Sequence, residues 1–140
     1  MASNSFQHRR AVQQTGDISP MAEEDVLRLA DEGDIKFKRV NWHNTKLIVR
    51  TCLSSEEYED TVRNILDYCR TGDGGMAVEM IDFAERANII AAYALLEMPQ
   101  DYEKLFRVVY ASDLYETVCG AVSKAQVDAI KRSVKIYMHE

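Results

Sequence analysis

Apolar and charged residues alternate along residues 35–40, and β-branched residues recur along residues 46–52. Strict alternation is the pattern of a half-buried β-strand, and β-branched side chains suit the pleat of a second strand. The short link between them, Trp42 to Thr45, includes Asn44, which tolerates a positive φ better than its neighbours. The pattern predicts a β-hairpin at about residues 35–52. A lone hairpin is only marginally stable, so we expect it to pack on helices or on another chain.

Behind the hairpin, apolar residues recur every three to four positions, which is the spacing of amphipathic helices. The first predicted helix begins at a capping box, Ser54 to Glu57, in which each side chain can bond the other residue's backbone. It continues to Cys69. The most apolar segment of the chain, Met76 to Met98, predicts a central helix that Pro99 stops.

Three shorter helices are predicted after the central one. The first covers residues 101–110 and directs these side chains inward: Tyr102, Leu105, Phe106 and Val109. The second is capped by Ser112 and interrupted by Gly120. The last begins at a second capping box, Ser123 to Gln126, and ends in basic residues that suit a helix C-terminus.

The front of the chain has a different character. Residues 1–18 are polar without periodicity and predict a flexible N-terminal arm. Ser19 and Pro20 then suit the start of a short helix, and Gly33 suits its end. We therefore expect residues 19–140 to form a single domain of the α+β class that is mainly α, a bundle of about five to six helices packed with the hairpin.

Composition places the chain among globular proteins. Apolar residues make up 46% of its 140 residues, which is too many for a disordered chain and enough for the core of one domain. No apolar run approaches the roughly eighteen residues of a membrane span, and the front lacks the apolar run of a secretory signal. The net charge of −6 argues against nucleic acid as the main partner. We expect no membrane partner either.

Residues with catalytic or metal-binding chemistry are scattered along the sequence. The three cysteines are spaced unlike zinc ligands, and an odd number cannot form a complete set of disulfides. His43 has only an amide and a hydroxyl beside it in the predicted turn, and a general base needs an orienting partner. The glycines of residues 72–75 lack the lysine and hydroxyl of a P-loop. We predict no enzyme, with no catalytic residue, cofactor or metal. The enzymatic alternative is an unrecognised site near residues 72–75 or Cys52.

One basic segment has the best claim to a function. Residues 36–50 hold five cations and no acid, whereas acidic residues crowd both flanks. The candidate partner-binding residues are these cations and the tryptophan of the predicted turn: Lys36, Lys38, Arg39, Trp42, Lys46 and Arg50. An exposed tryptophan at a loop tip is a common interface anchor, and the cations would steer an acidic partner or another copy's acidic helix. The alternative is that the lysines only protect a strand edge from unwanted pairing.

The segment from Lys38 to Arg50, followed by Leu53 to Glu57, resembles the front of small proteins in the structural-gene cassettes of tailed bacteriophages. Those proteins run a hairpin of the form W-x-x-x-x-(I/L)-x-V, then L-S-x-x-E, which opens a helix. Residues 82–84 and 105–113 are similar to their helical remainder, and the resemblance covers about residues 35–137. Tail-assembly chaperones share this plan and are non-enzymatic binders of tape-measure and tube proteins.

The resemblance implies a non-enzymatic bacteriophage protein of virion structure or assembly that docks its hairpin, Trp42 and its N-terminal arm onto neighbouring subunits. The partners would be other phage structural proteins or further copies of this chain, located in the virion or the host cytoplasm. A tail-assembly chaperone that binds tail tube or tape-measure protein is the first alternative. A small regulatory or host-directed binding protein is the second.

Overall fold

A computed structural model of the chain describes residues 36–139 and five residues nearer the N-terminus: Ala22, Glu24, Asp25, Leu27 and Arg28. It divides the chain into residues 1–34 and residues 35–140. Four of the five N-terminal residues, Glu24, Asp25, Leu27 and Arg28, are helical, and Arg28 pairs with Asp25 at 2.7 Å. The arm predicted at residues 1–18 and the rest of the helix predicted from Ser19 to Gly33 lie outside the described residues.

Residues 36–139 form a two-stranded antiparallel hairpin followed by five α-helices. The elements in chain order are β1 (Phe37–Trp42), β2 (Thr45–Arg50), α1 (Ser55–Cys69), α2 (Ile81–Tyr93), α3 (Tyr102–Tyr110), α4 (Leu114–Ala121) and α5 (Lys124–Met138). A single 3-10 turn, Val78–Met80, precedes α2. This confirms the predicted α+β class, a helical bundle with a hairpin near its front.

The hairpin turns on two residues, His43 and Asn44, which both have positive φ values (49° and 63°). Two consecutive positive φ values make the tight turn whose twist matches that of the flanking strands. The predicted four-residue turn is therefore too long, because Trp42 pairs with Thr45 inside the ladder. Val40 lies opposite Leu47 in this register, so their side chains share the face that packs on the helices.

The segment after α2 bonds the edge of β2 that is not paired with β1. Ala94 forms a β-bridge with Val49, and the Leu95 N–H donates to the Ile48 carbonyl at 2.9 Å. The helix predicted from Met76 to Met98 is therefore wrong at both ends. It begins at Ile81 after the 3-10 turn and ends at Tyr93, because the next residues exchange helical hydrogen bonds for bonds to β2.

The core lies where α2 meets α1 and α4 and where α5 packs on α1. Its largest fully buried side chains come from three helices: Ile65 of α1, Ile89, Ile90 and Tyr93 of α2, and Ile130 of α5. β2 contributes Leu47 and Val49 to the same core, so the hairpin is packed on the helices as its marginal stability requires.

The helix caps are partly as predicted. The capping box of α1 is confirmed, since Ser54 and Glu57 each bond the other's backbone. The interruption predicted at Gly120 is wrong, because α4 continues through this glycine to Ala121. The N-cap residue of α4 is Asp113, but the predicted Ser112 does cap the helix start, because its hydroxyl accepts from the Leu114 N–H at 3.3 Å.

The second predicted capping box is only half formed. Ser123 accepts from the Gln126 backbone N–H, but the Gln126 side chain turns away from the cap. Its Oε1 accepts from the Leu53 N–H at 2.7 Å and from the Tyr93 hydroxyl at 2.6 Å, and its Nε2 donates to the Leu53 carbonyl at 3.1 Å. This amide therefore ties the segment after the hairpin to α2 and α5.

Replacing this amide should destabilise the fold strongly. In Gln126→Leu, the Leu53 backbone groups and the Tyr93 hydroxyl lose their partners, and each buried unsatisfied polar group costs about 1–3 kcal/mol. We expect the free energy of unfolding in urea to fall by roughly 2–4 kcal/mol. The control is Gln100→Leu at an exposed position, which should change it by less than about 0.5 kcal/mol. Equal effects in both variants would contradict this role of Gln126.

Candidate functional site

The hairpin register separates the six candidate partner-binding residues into two groups. Arg39, Lys46 and Arg50 lie on the outer face of the hairpin, together with their cross-strand neighbours. Lys36, Lys38 and Trp42 alternate onto the opposite face, where Lys38 lies across from the buried Val49. The basic segment is therefore two surfaces rather than one continuous ribbon.

The outer face combines cations with exposed apolar side chains. We define the hairpin surface as four residues, Phe37, Arg39, Lys46 and Ile48. Phe37 is 56% exposed and Ile48 is 41% exposed, and Ile48 lies directly across from Arg39. The apolar side chains of β1 thus do not all lie on one face, because Phe37 faces outward while Val40 faces the core.

Arg50 is not part of this free surface. Its side chain is only 21% exposed and forms an ion pair with Glu57 of α1. Its guanidinium carbon also lies 5.9 Å from the centre of the Phe37 ring. The Ser54 backbone N–H and the Arg50 guanidinium together hold the pKa of Glu57 below its ordinary value. Arg50 thus joins the hairpin to α1 and is left out of the hairpin surface.

Trp42 does not have the exposed position at a loop tip that the sequence predicts. It is the last residue of β1, is half-buried and packs against the core. Its indole Nε1–H donates to Asp113 Oδ1 at 2.6 Å. The alternation of β1 explains this placement, because Trp42 shares the inner face with Val40.

His43 finds a partner that is distant in sequence. Its Nε2 lies 3.0 Å from the same oxygen of Asp113, and its ring meets the Trp42 ring edge-on at 4.9 Å. The two hydrogen bonds hold the pKa of Asp113 below its ordinary value. The three side chains together fasten the hairpin turn to the start of α4, a role that sequence spacing could not show.

A second exposed surface is aromatic, and sequence analysis missed it. Phe83 of α2 is only 4% exposed and lies at the centre of a group of rings at 5.4–6.0 Å. We define the aromatic cluster as Phe83 and these four rings: Tyr68, Tyr102, Phe106 and Tyr110. Each of the four is 41–49% exposed. Rings packed at such distances stabilise one another beyond their buried area.

The inward direction predicted for Tyr102 and Phe106 is wrong, although that for Val109 is confirmed. α3 packs on α2 through Val109 and the half-buried Leu105, which leaves its ring-bearing side partly in solvent. The signal in the sequence was the spacing of aromatic residues at positions 102, 106 and 110, one helical turn apart. The Tyr110 hydroxyl donates to Asp82 at 2.6 Å, and partial burial with this bond raises the pKa of Tyr110 to about 12.

The remaining residues of chemical interest have structural surroundings. Cys69 is buried and Cys119 is half-buried, and burial raises the pKa of both thiols. In the loop that follows α1, Asp73 accepts from the Gly75 N–H and the Thr71 hydroxyl. Within the described residues, no three side chains of the metal-ligating kinds come together. In that same part of the chain, no helix has the length and apolarity to cross a membrane.

The hydrogen bonds to Asp113 should make the free energy of unfolding depend on pH in the acidic range. A carboxyl whose folded pKa is lowered contributes stability above its unfolded pKa of 3.8 and loses it as pH falls through the folded value. We expect wild type to be more stable than Asp113→Asn at about pH 7, with the difference shrinking below about pH 4. Urea unfolding across this range measures it. Glu97→Gln, an exposed control, should show no such convergence.

The centre of the aromatic cluster should matter more than its rim. Phe83→Ala should lower the free energy of unfolding by about 3–5 kcal/mol, because it opens a cavity under four rings. Phe106→Ala removes the same side chain at a position that is already 41% exposed, and we expect less than half that loss. Thermal and urea unfolding of both variants provide the measurement. Similar losses would mean that Phe83 does not organise the cluster.

Comparison of the chain with protein-family models, with curated proteins and with solved structures found no match. Two of the surfaces in residues 36–139 that expose large apolar side chains are the hairpin surface and the aromatic cluster.

Proposed function

We propose that this protein is a non-enzymatic bacteriophage protein of virion structure or assembly, which docks its hairpin surface onto an acidic surface of a neighbouring phage protein. The observation that carries the proposal is the outer face of the hairpin. It places the exposed Phe37 and Ile48 beside the exposed cations Arg39 and Lys46. The partner is a protein rather than nucleic acid, because the chain as a whole carries a net charge of −6.

The mixture of side chains suits an interface. Exposed apolar residues gain free energy when a partner covers them, whereas cations around them steer an acidic surface and fix its orientation. Lysine alone would be enough to protect a strand edge, so the protective interpretation does not account for Phe37 and Ile48. Their exposure favours docking over that alternative.

The hairpin is held in place before any partner arrives. Asp113 fastens the turn of the hairpin to α4, and Arg50 joins the end of β2 to α1. Leu95 bonds the backbone of β2 along its free edge. A surface that is already ordered loses little conformational entropy on binding, so more of the contact energy is available for affinity.

The phage context comes from the sequence resemblance. Its motif spans Trp42, Leu47 and Val49 and continues into Leu53 and the capping box at Ser54. These residues form a hairpin followed by helices, which is the plan of the small tailed-phage proteins. The location that follows from this proposal is the virion or the cytoplasm of the infected host.

A tail-assembly chaperone is the second candidate, favoured by the same plan of a hairpin followed by helices. Mass spectrometry of purified particles separates the two candidates. A structural subunit stays in the particle, whereas a chaperone is present in infected lysate and absent from particles. A chain that is found with no phage structural protein in either sample would contradict both candidates and favour a regulatory or host-directed role.

The hairpin itself provides a matched pair of variants for the docking step. Arg39→Glu with Lys46→Glu reverses two charges on the outer face, whereas Lys36→Glu with Lys38→Glu makes the same net change on the inner side. We expect the first pair to abolish complementation of a phage lacking this gene and to prevent co-purification with its structural proteins. The second pair should retain both activities.

Circular dichroism and thermal unfolding should show that both pairs remain folded, since all four residues are exposed. Normal complementation by the outer-face pair would contradict the proposal. Equal loss in both pairs would assign the effect to overall charge rather than to the hairpin surface.

A further inference from the structure

A groove lies between the start of α2 and the end of α5, and none of the hairpin-surface residues lines it. Its volume is about 460 Å³, and its apolar lining consists of Val78, Ile81 and Met138. Val78 is 64% exposed, so an apolar side chain stands open at the groove. An occupant with apolar groups of its own would cover this surface at a gain in free energy.

Three cations of α5 also line this groove: Lys131, Arg132 and Lys135. Among residues 36–139 none of them forms an ion pair. Five of the cations elsewhere on the helices and their caps, although not Lys104 of α3, pair instead within the described residues with a carboxylate three or four residues away: Arg63, Arg70, Arg86, Arg107 and Lys124. Within residues 36–139 the three positive charges beside the groove thus have no ion-pair partner, although the Lys131 Nζ also lies 5.5 Å from the centre of the Tyr115 ring.

Among the described residues Glu85 is the only acidic one that lines the groove, and Lys131 and Lys135 both act on it electrostatically. Burial nevertheless raises the pKa of Glu85, so the two lysines do not fully compensate its desolvation. The cations therefore outnumber the single carboxylate and retain positive charge to offer to an occupant.

We infer that this groove binds an acidic amphipathic helix of a protein partner. Lys131 and Lys135 are one helical turn apart, so acidic side chains at positions i and i+4 of a second helix, about 6 Å apart along its axis, match their spacing. The apolar face of the same helix covers Val78, Ile81 and Met138. This is the helix-in-groove mode of recognition with complementary charge at the rim.

The apolar lining and the number of cations favour a protein helix over other anions. A small phosphate compound would leave Val78 and its apolar neighbours uncovered. Recognition of an anionic membrane generally uses clusters of about four to eight basic residues, more than the groove supplies. The inference does not depend on the hairpin surface, because the two sites share no residue.

The test uses the full-length chain and a fluorescently labelled amphipathic peptide of about three helical turns with Glu at its polar positions. A control peptide has Gln at the same positions, which keeps the apolar face and removes the charge. We expect the Glu peptide to bind, by fluorescence anisotropy, on the order of tenfold more tightly than the Gln peptide. Added salt should reduce this difference.

Matched variants assign the binding to the groove. Lys131→Gln, Arg132→Gln and Lys135→Gln together should weaken binding of the Glu peptide on the order of tenfold. The same number of charges is removed elsewhere in a second variant, Lys104→Gln with Arg107→Gln and Lys124→Gln, which should bind as wild type does. Val78→Ser tests the apolar lining separately and should also weaken binding.

Several results would overturn the inference. These are no binding of the Glu peptide, equal binding of both peptides, or equal losses in the groove and control variants. Loss of peptide binding in Arg39→Glu with Lys46→Glu would move the acidic-helix site to the hairpin surface. Vesicles containing anionic lipid that bind the chain and displace the peptide would assign the groove to a membrane instead.

Discussion

The side-chain amide of Gln126 is the contact on which the arrangement of the other elements depends most. It satisfies both backbone groups of Leu53, where the chain leaves the hairpin for α1, and the hydroxyl of Tyr93, where α2 ends. These groups are withdrawn from water by the packing around them, so the amide supplies the bonds that water would otherwise provide. Three segments that are far apart in sequence meet at one residue, and the core closes around it.

Local signals account for most of the secondary structure that the sequence revealed. The capping box of Ser54 and Glu57 and the apolar periodicity of α1 involve residues within one or two turns of each other, so they can be recognised without the fold. The end of α2 could not be, because Ala94 leaves the helix in order to bond β2, some 45 residues earlier in the chain. A local pattern cannot show a competing partner at that distance.

Partners that are distant in sequence also explain why the candidate partner-binding residues differ in their exposure. Arg39 and Lys46 are exposed, as expected for cations in a strand. Arg50 instead pairs with Glu57, and Trp42 donates a hydrogen bond to Asp113. Charge and residue type identify a side chain that could bind a partner, whereas the fold decides whether an internal partner reaches it first. The aromatic cluster shows the opposite error, because Tyr102 and Phe106 are predicted to face the core but are 49% and 41% exposed.

The cover over β2 has a consequence for how such chains could join through their strands. Ala94 and Leu95 bond the free edge of β2 at Val49 and Ile48. Within the described residues no strand pairs with the free edge of β1. In that part of the chain, the β1 edge is therefore the one left free along its whole length for strand addition. Two copies that pair through their β1 edges would leave only the partly covered β2 edges, which favours a closed pair over growth into a fibre.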